Sequence, residues 1–307
     1  MSSLDKPVRA RASVQESGHS RDLVRPPLPE PLISPVIDTH CHLDINDGWP
    51  GEQGAEGAWL TVEDALAQAT SVGVSRIVQV GCDLPSARWS VECANAHDAI
   101  VATVALHPNE APRIFAEGGR PALEVALEEI AELAASPRVR AIGETGMDFF
   151  RTGEDGRSIQ EESFRRHIDL AKSLNKPVVI HDRDSHDAVI RILESEGPPQ
   201  TVVFHCYSGD AEMARYCTER GWYLSFAGTV TFKNAQSLRD SVAVAPLDRI
   251  LVETDAPYLT PTPFRGRPNA SYLVPHTARV IAQSADVDEQ TMCEALWTNA
   301  RRAFGEW

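Results

Sequence analysis

Two histidines separated by one residue, His40 and His42, have the spacing in this sequence that most directly suggests chemistry. They follow the apolar residues of the run Val36–His40, which predicts a β-strand. Side chains alternate faces along a strand, so both imidazoles point to one face and Cys41 points to the other. Neutral imidazole is a common ligand for zinc-like ions, and a rigid strand holds two donors at a fixed separation. The pair predicts a metal site, although two histidines on a half-exposed strand would show the same spacing.

Further residues able to ligate a metal follow later apolar runs: Glu144, His181, His205 and Asp255. Taken singly, either carboxylate could be a helix cap or a loop charge, and either histidine could be a satisfied core residue. All of them, like the first pair, fall at the carboxyl end of a predicted strand. Four imidazoles and two carboxylates exceed the needs of one tetrahedral ion, so the sequence predicts two divalent ions that share a carboxylate.

The elements that must position these residues alternate between short β-rich runs and amphipathic helical patterns. The predicted strands are 36–40, 76–81, 100–106, 139–143, 177–181, 201–205, 222–227 and 249–254. The predicted helices are 62–72, 87–97, 122–135, 161–174, 185–196, 211–220, 235–244, 275–284 and 289–304. Eight strand–helix units are the number that closes a parallel (β/α)8 TIM barrel, with its active site at the carboxyl ends of the strands. An open doubly wound sheet is the alternative, but no Gly-x-Gly-x-x-Gly follows the first run.

Composition indicates a globular protein of a reducing compartment. A chain of 307 residues fits one α/β barrel with additions. Its six cysteines include no Cys-x-x-Cys pair, which argues for free thiols. No apolar run has the length of a membrane span, and the first residues lack the order of a signal peptide. We therefore expect a soluble, cytoplasmic protein that does not engage membranes, and we expect a monomer.

Residues 1–35 are rich in Ser, Arg and Pro without a hydrophobic period, which predicts a poorly ordered extension ahead of one catalytic domain at 36–307. The extension has five basic and four acidic residues, so subtracting its net charge of +1 from the chain's −15 leaves −16 on the domain. Such an acidic body repels bulk nucleic acid, whose non-specific binding depends on Lys and Arg. A nucleic-acid substrate would therefore be held by metals and by local arginines.

Six motifs together carry a specific resemblance. They are Ile-Asp-Thr-His-Cys-His-Leu-Asp at 37–44, Leu-His-Pro at 106–108, Ile-Gly-Glu-Thr-Gly-Met-Asp-Phe at 142–149, His-Asp-Arg at 181–183, Phe-His-Cys-Tyr-Ser-Gly at 204–209 and Val-Glu-Thr-Asp-Ala-Pro-Tyr at 252–258. In this order, from about residue 36 to the last residue, the chain resembles the TatD deoxyribonuclease family of the amidohydrolase superfamily. It departs from the family pattern after Asn269, where the family usually has Glu-Pro and this chain has Ala270 and Ser271.

The resemblance implies a role for each candidate ligand. One ion would be held by His40, His42 and Asp255, the second by His181 and His205, and both by Glu144. His107 would sit beside the metals and contact substrate phosphate. The resemblance also implies 3′–5′ exonuclease action on single-stranded DNA with two divalent ions, drawn from Mg, Mn, Zn or Fe.

The expected chemistry follows from what paired ions do. Ions about 3.5–4 Å apart lower the pKa of a shared water and clamp a phosphodiester for in-line attack. We expect Asp255 to orient that water and to act as general base, with Glu144 as a bridging ligand and His107 as the third catalytic residue. Arginines that could pair with phosphate oxygens are Arg183, Arg265 and Arg267, although each could be a solvated loop residue. Residues expected to hydrogen-bond to the metal ligands or to line the cavity are Asp148, Tyr207, Glu253 and Tyr258.

Other functions fit parts of this pattern. A mononuclear deaminase would use the histidines and Asp255 but has no need of Glu144, and a carboxylated-lysine bridge is excluded because residues 139–150 contain no lysine. Hydrolysis of an ester in aminoacyl-tRNA, such as D-aminoacyl-tRNA deacylation, could use the same two ions and stays open. A purely structural zinc site would be closed by four ligands, often cysteines, and none of the cysteines here has the required partners. We rank a DNase first, an ester hydrolase second and a non-enzymatic scaffold last.

Overall fold

The structure is a computed structural model that describes Leu4 and residues 7–11, 22–48 and 59–307. In these residues the strands are β1 Arg9–Arg11, β2 Val36–Cys41, β3 Ile45–Asp47, β4 Val74–Gly81, β5 Ile100–Val104, β6 Val139–Asp148, β7 Val178–Arg183, β8 Val202–Phe204, β9 Tyr223–Phe226 and β10 Ile250–Val252. The helices are α1 Val62–Ser71, α2 Leu84–Ala96, α3 Glu110–Ala134, α4 Glu154–Ser173, α5 His186–Glu196, α6 Ala211–Glu219, α7 Gln236–Val244, α8 Val274–Ser284 and α9 Glu289–Phe304.

Eight strands form one parallel sheet in the order β2, β4, β5, β6, β7, β8, β9 and β10. Its first and last strands also meet, because the Asp255 N–H donates to the His40 carbonyl at 2.9 Å and the His42 N–H donates to the Ala256 carbonyl at 2.8 Å. The sheet is therefore a nearly closed barrel with helices between its strands. The predicted (β/α)8 architecture is confirmed.

The barrel interior is filled at the amino end of its strands. Every strand of the barrel contributes one side chain to this cluster: Ile37, Val78, Val101, Ala141, Val179, Val203, Tyr223 and Leu251. Ala300 and Phe304 of α9 pack against them and close this end. Beyond α9, the Trp307 indole N–H donates to the Ala99 carbonyl at 3.4 Å, just ahead of β5. The packed amino end leaves the opposite end of the barrel for a site.

Helices whose first turn is capped by a local side chain begin close to their predicted positions. At the start of α2, the Ser86 N–H donates to Asp83 Oδ1 at 2.9 Å and the Asp83 N–H donates to Ser86 Oγ at 3.0 Å, which forms a capping box. In contrast, α3 begins at Glu110, twelve residues before its predicted start at 122. Gly119 has a φ of 67° and joins two helical segments at a kink. The apolar pattern predicted only the second segment.

Part of the segment ahead of the barrel, residues 22–35, makes hydrogen bonds to the barrel domain. In residues 22–35, the Val24 carbonyl accepts from Arg267 Nε at 2.8 Å and the Pro26 carbonyl accepts from the Tyr272 hydroxyl at 2.7 Å. The Leu32 N–H donates to the Val72 carbonyl at 3.0 Å. These residues are held because side chains far along the sequence donate hydrogen bonds to their carbonyl groups. A local sequence pattern does not reveal such contacts. The rest of the extension, residues 1–3, 5, 6 and 12–21, lies outside the described residues.

Strand β1 attaches another part of the extension to the barrel. It pairs in parallel with β3, so that Arg9 lies opposite Ile45. The Arg9 N–H donates to the Asp44 carbonyl at 3.1 Å. Arg11 Nε lies 3.2 Å from Asp47 Oδ1, and the Arg11 guanidinium lies 4.7 Å from the ring centroid of Tyr258. Because β3 follows the two histidines at the end of β2, β1 lies at the carboxyl end of the barrel.

The cysteines agree with the sequence prediction, since all six are free thiols. Within the described part of the chain, no helix combines the length and the apolar character that crossing a bilayer requires. The cytoplasmic location and the monomeric state stay predictions.

Candidate metal centre

The first two candidate ligands lie at the end of β2. His40 is fully buried and His42 is 6% exposed, whereas Cys41 between them belongs to the apolar cluster between sheet and helices. His42 Nδ1 lies 3.2 Å from the Val80 carbonyl. A carbonyl only accepts, so this contact places the ring proton on Nδ1 and leaves Nε2 free to act as a ligand.

Glu144 on β6 is buried and divides its two carboxylate oxygens between different histidines. Oε2 lies 3.4 Å from His40 Nε2. Oε1 lies 2.5 Å from His181 Nδ1, 3.0 Å from His205 Nε2 and 3.4 Å from His107 Nε2. One carboxylate thus joins two groups of imidazoles, as a ligand shared by two ions must.

Glu144 lies inside β6, although the sequence predicted that it would follow the strand. The strand continues to Asp148, and its pairing with β7 changes register between Ile142 and Thr145. Gly146 has a φ of 138°, and a Cβ atom there would lie 2.1 Å from the His181 carbonyl oxygen. Only glycine allows this close approach, which brings β6 and its glutamate against His181.

Two histidines of the cluster are each backed by a second carboxylate. His181 Nε2 lies 3.3 Å from Asp148 Oδ2, and His205 Nδ1 lies 3.0 Å from Glu253 Oε1. Glu253 Oε1 also accepts the Cys206 N–H at 2.8 Å, which fixes its position. A carboxylate behind an imidazole sets the orientation of the ring and raises its basicity. Asp148 and Glu253 thus lie where supporting residues were expected.

Asp255 and His107 lie on opposite sides of this cluster. Asp255 Oδ1 is 3.3 Å from His42 Nε2 and 3.8 Å from His40 Nε2. His107 Nδ1 accepts the Asn109 N–H at 3.1 Å, which places the ring proton on Nε2. This tautomer makes His107 a hydrogen-bond donor toward the cavity and suits it to contact an anion.

The carboxylates of the cluster remain ionised despite their burial. Burial alone would raise the pKa of Glu144, but His205, His107 and His181 outweigh it and hold the pKa well below its usual range. Burial opposes charge on His205 too, yet Glu144 and Glu253 raise the pKa of its ring well above the usual value. For His40, burial prevails and lowers the pKa. Without a metal, the protonated ring of His205 therefore balances the charge of the buried carboxylates, and a bound cation would take over that role.

The donor set fits divalent metal ions. Ligand atoms within 4.8 Å of one another form three overlapping groups: His40 with His205 and Asp255, His40 with His42 and Glu144, and His107 with Glu144 and His181. Both ring nitrogens of His40 are buried and have no hydrogen-bond partner among the described residues. Such orphaned atoms are costly in a protein interior, and coordination through Nε2, which faces Glu144 and Asp255, would remove the cost at that nitrogen. Mixed imidazole and carboxylate donors suit Zn, Mn or Fe and, more weakly, Mg.

Five of the six candidate ligands, all except the fully buried His40, line a cavity of about 570 Å³ at the carboxyl end of the barrel. The arginines that line it are Arg9, Arg151 and Arg183. The Arg183 guanidinium lies 4.0 Å from the ring centroid of Phe150, and the residue is exposed. The cavity thus combines a metal-binding floor with cationic side chains on its walls.

The structure does not bring Arg265 and Arg267 to the walls of this cavity, where the sequence placed them. The Arg265 guanidinium lies 4.0 Å from the ring centroid of Phe232. Arg267 Nε lies 3.3 Å from Asp22 Oδ2 and also donates to the Val24 carbonyl. The two arginines therefore lie away from this cavity, and their contact with substrate stays a prediction. Closeness to Asp255 along the chain does not determine where a long side chain points.

The cavity-lining residues that sequence reasoning missed include Arg9, Cys82 and Arg151. Cys82 directly follows β4, as His205 directly follows β8, and its Sγ lies 3.4 Å from Glu144 Oε2. Its position directly after a predicted strand could have identified Cys82 as a residue of the site. Arg151 lies beyond a strand that was predicted to end too early, and Arg9 lies in the segment assigned to the extension.

A buried histidine beside the site, His167, predicts a pH dependence of stability. Its Nε2 accepts the Leu106 N–H at 3.1 Å, its Nδ1 donates to the Ser163 carbonyl at 2.7 Å, and burial lowers its pKa to about 4. Between about pH 6.5 and 4 the unfolded chain binds the proton and the folded chain does not, so stability falls as the pH falls. Urea unfolding should show a loss on the order of 3 kcal/mol from this residue across that window. His167→Gln should remove that part of the loss, and an unchanged slope in the variant would contradict the assignment.

Comparison with known proteins agrees with this geometry. The family model described as TatD related DNase matches residues 37–305. An uncharacterized metal-dependent hydrolase TatD of Mycobacterium tuberculosis is 41% identical over 274 residues, which cover 88% of this chain and 98% of that protein. The uncharacterized metal-dependent hydrolase YabD of Bacillus subtilis is 37% identical over 270 residues, with 88% of this chain and 98% of that protein covered. The crystal structure of the TatD homologue YJJV of Escherichia coli superimposes with a TM-score of 0.76 at 27% identity, covering 89% of this chain and 98% of that one.

Proposed function

The chain belongs to the TatD-related family of metal-dependent hydrolases, and from this premise we propose that it hydrolyses phosphodiester bonds in DNA. The observation that carries the proposal is the position of Glu144, whose two oxygens face separate groups of histidines. Paired ions are a recurring solution for in-line displacement at phosphorus. We include in the proposal the removal of nucleotides from the 3′ end of single strands, which the family resemblance favours.

The proposed ligand sets divide the cluster in two. One set is His40, His42 and Asp255, the other is His181 and His205, and Glu144 belongs to both, since its two oxygens face different histidines. Ions bound there would supply Lewis acidity, which lowers the pKa of water and neutralises charge on a phosphate. The protein supplies the fixed positions of the metal ligands. Asp148 contacts the ring of His181 and Glu253 contacts the ring of His205, and these contacts hold the two imidazoles in place.

Asp255 is the proposed general base. Burial would raise the pKa of its carboxyl, but His42 and His205 outweigh burial and lower it, so the group is ionised at neutral pH. The attacking water oxygen forms a bond to phosphorus, the bond from phosphorus to the leaving oxygen breaks, and the water proton passes to the Asp255 carboxylate. His107 donates its Nε2 hydrogen to a phosphate oxygen, and Arg183 pairs with another.

The proposal predicts that metal removal abolishes activity. A chelated and dialysed protein should lose hydrolysis of single-stranded DNA by about 10³-fold or more, because both the nucleophile and the electrophile depend on the ions. Returning Mn, Zn, Fe or Mg one at a time should restore activity, and metal analysis should find up to two ions per chain. A protein that binds no ion would contradict the proposal.

The substrate class is tested by comparing the rates at which candidate substrates are hydrolysed. The metal-loaded protein is assayed against single-stranded DNA, duplex DNA, RNA and charged tRNA under the same conditions. The proposal expects single-stranded DNA to have the highest kcat/KM. If D-aminoacyl-tRNA were cleaved faster than every phosphodiester, the ester hydrolase would replace it as the function of this site.

A further inference from the structure

Arg9 lies on the wall of the metal cavity, although it comes from a segment ahead of the barrel. Its side chain is 39% exposed, and it lines the same cavity as His42, Asp255 and Tyr258. We infer that Arg9 is a substrate-binding residue. Its guanidinium pairs with a phosphate of the nucleic-acid strand that neighbours the phosphate at which cleavage occurs. This inference rests on the proposed function and adds a contact from outside the barrel.

The position of Arg9 is fixed by the backbone around it. The Val8 and Arg9 N–H groups both donate to the Asp44 carbonyl, at 2.8 and 3.1 Å. The Gly48 N–H donates to the Arg11 carbonyl at 3.0 Å, and Arg11 is held by Asp47 and Tyr258. Residues 44–48 follow the two histidines of β2 directly. The strand pair thus ties Arg9 to the segment that carries two metal-ligand candidates, so that the guanidinium is preorganised at the cavity.

The Arg9 guanidinium already pairs with Asp83, and it can contact a phosphate at the same time. Its Nη2 pairs with Asp83, whose carboxylate also caps α2 through the Ser86 N–H. A partly exposed ion pair contributes little to stability, so holding Asp83 does not account for an arginine here. Guanidinium has five N–H donors and can contact a carboxylate and a phosphate together. The Arg9–Asp83 pair therefore orients the side chain for an anion in the cavity.

The distribution of charge around the cavity indicates which anion this is. Acidic side chains on the lining are Asp44, Glu110, Glu144, Asp148, Asp182 and Asp255, against three arginines. Arg183 ends β7 and Arg151 follows β6, whereas Arg9 lies beside Asp83 after β4. In the strand order of the barrel β4 is two places from β6 and three from β7, so Arg9 lies at a different part of the rim from Arg151 and Arg183. Cations at separate positions around the cavity suit a chain of phosphates that extends beyond the reacting one.

This contact comes from outside the part of the chain that matches the family. The family model begins at residue 37, and the matched relatives cover 88% of this chain. β1 lies ahead of residue 37, whereas its partner β3 lies inside the matched region. The extension therefore adds a phosphate contact to a barrel that the family model matches without it.

The test measures binding apart from catalysis. Metal-loaded full-length protein is titrated with a fluorescently labelled phosphorothioate oligothymidylate, whose linkages resist hydrolysis, and the dissociation constant is followed by anisotropy at several salt concentrations. We expect Arg9→Gln to raise the dissociation constant about tenfold, as the loss of one hydrogen-bonded charge contact does. The slope of log affinity against log salt should become shallower by about 0.7, the value for one phosphate contact on a single strand. Arg9→Lys keeps the charge and should keep the slope.

Matched measurements separate this role from a structural one. Arg120→Gln removes the same charge from an exposed ion pair with Glu162 on the helical surface, and it should change neither quantity. On a cleavable oligothymidylate, Arg9→Gln should raise KM while kcat stays within about twofold, and urea unfolding should match wild type. Wild-type affinity, slope and KM in the variant would overturn the inference, as would equal effects in Arg120→Gln. If the wild type binds the strand through Arg9 but cleaves no phosphodiester, the proposed function fails and the inference stands.

Discussion

Glu144→Gln should lose hydrolytic activity by about 10³-fold or more and should no longer hold two ions. The amide keeps the shape of the side chain but lacks the charge that Oε1 and Oε2 present to His205 and His40. A shared carboxylate offsets the repulsion of two cations, so a neutral amide leaves that repulsion uncompensated. The measurements are kcat on single-stranded DNA, metal content per chain and the circular dichroism spectrum.

Glu132→Gln on α3 is the matched control for this variant. It changes the same functional group at an exposed position. It should leave activity and metal content at wild-type values. Glu144→Gln with two bound ions and full activity would show that the carboxylate does not bridge, and the proposed arrangement of the site would have to be abandoned.

Asp255→Asn should lower kcat by about 10²–10⁴-fold, the usual contribution of a general base, while most of the bound metal is retained. The asparagine oxygen can still face His42 and His40, but the amide cannot accept a proton from water. The expected pattern therefore differs from that of Glu144→Gln, because activity falls while metal content is largely unchanged. Single-turnover rates and metal analysis on the same preparation distinguish the two.

A surface aspartate provides the comparison for the second variant. Asp248→Asn changes an exposed carboxylate beside Arg249 and should behave as wild type. If Asp255→Asn kept the wild-type kcat, the proton would have to pass to another group. If it lost all metal instead, Asp255 would be a ligand whose role as base had not been demonstrated.

Much of the fold could be predicted because a parallel barrel has regular rules. All eight predicted barrel strands are observed, and α9 has the predicted bounds of 289 and 304. Apolar runs indicate strands buried on both faces, and the fixed direction of a barrel strand indicates which end carries the chemistry. For that reason six residues far apart in sequence could be expected at one end, and the structure brings them together around Glu144.

The remaining features depend on contacts that a local pattern does not contain. β6 continues past its predicted end because Gly146 accommodates the β7 backbone, and this approach is set by a neighbouring strand. Arg267 points to Asp22 and Val24 because those partners lie across the surface. Arg9 could not be assigned because a three-residue strand with few apolar side chains has no periodic signal.

The two ends of the barrel also differ in which part of the chain they present. β1 lies beside the cavity, whereas Trp307 lies against Ala99 at the closed end. A purification handle or fusion partner placed ahead of Met1 would be tethered near the entrance used by a polymeric substrate. The same handle placed after Trp307 would emerge on the far side of the molecule. Kinetic comparisons with other preparations should therefore use protein tagged at the carboxyl terminus or not tagged at all.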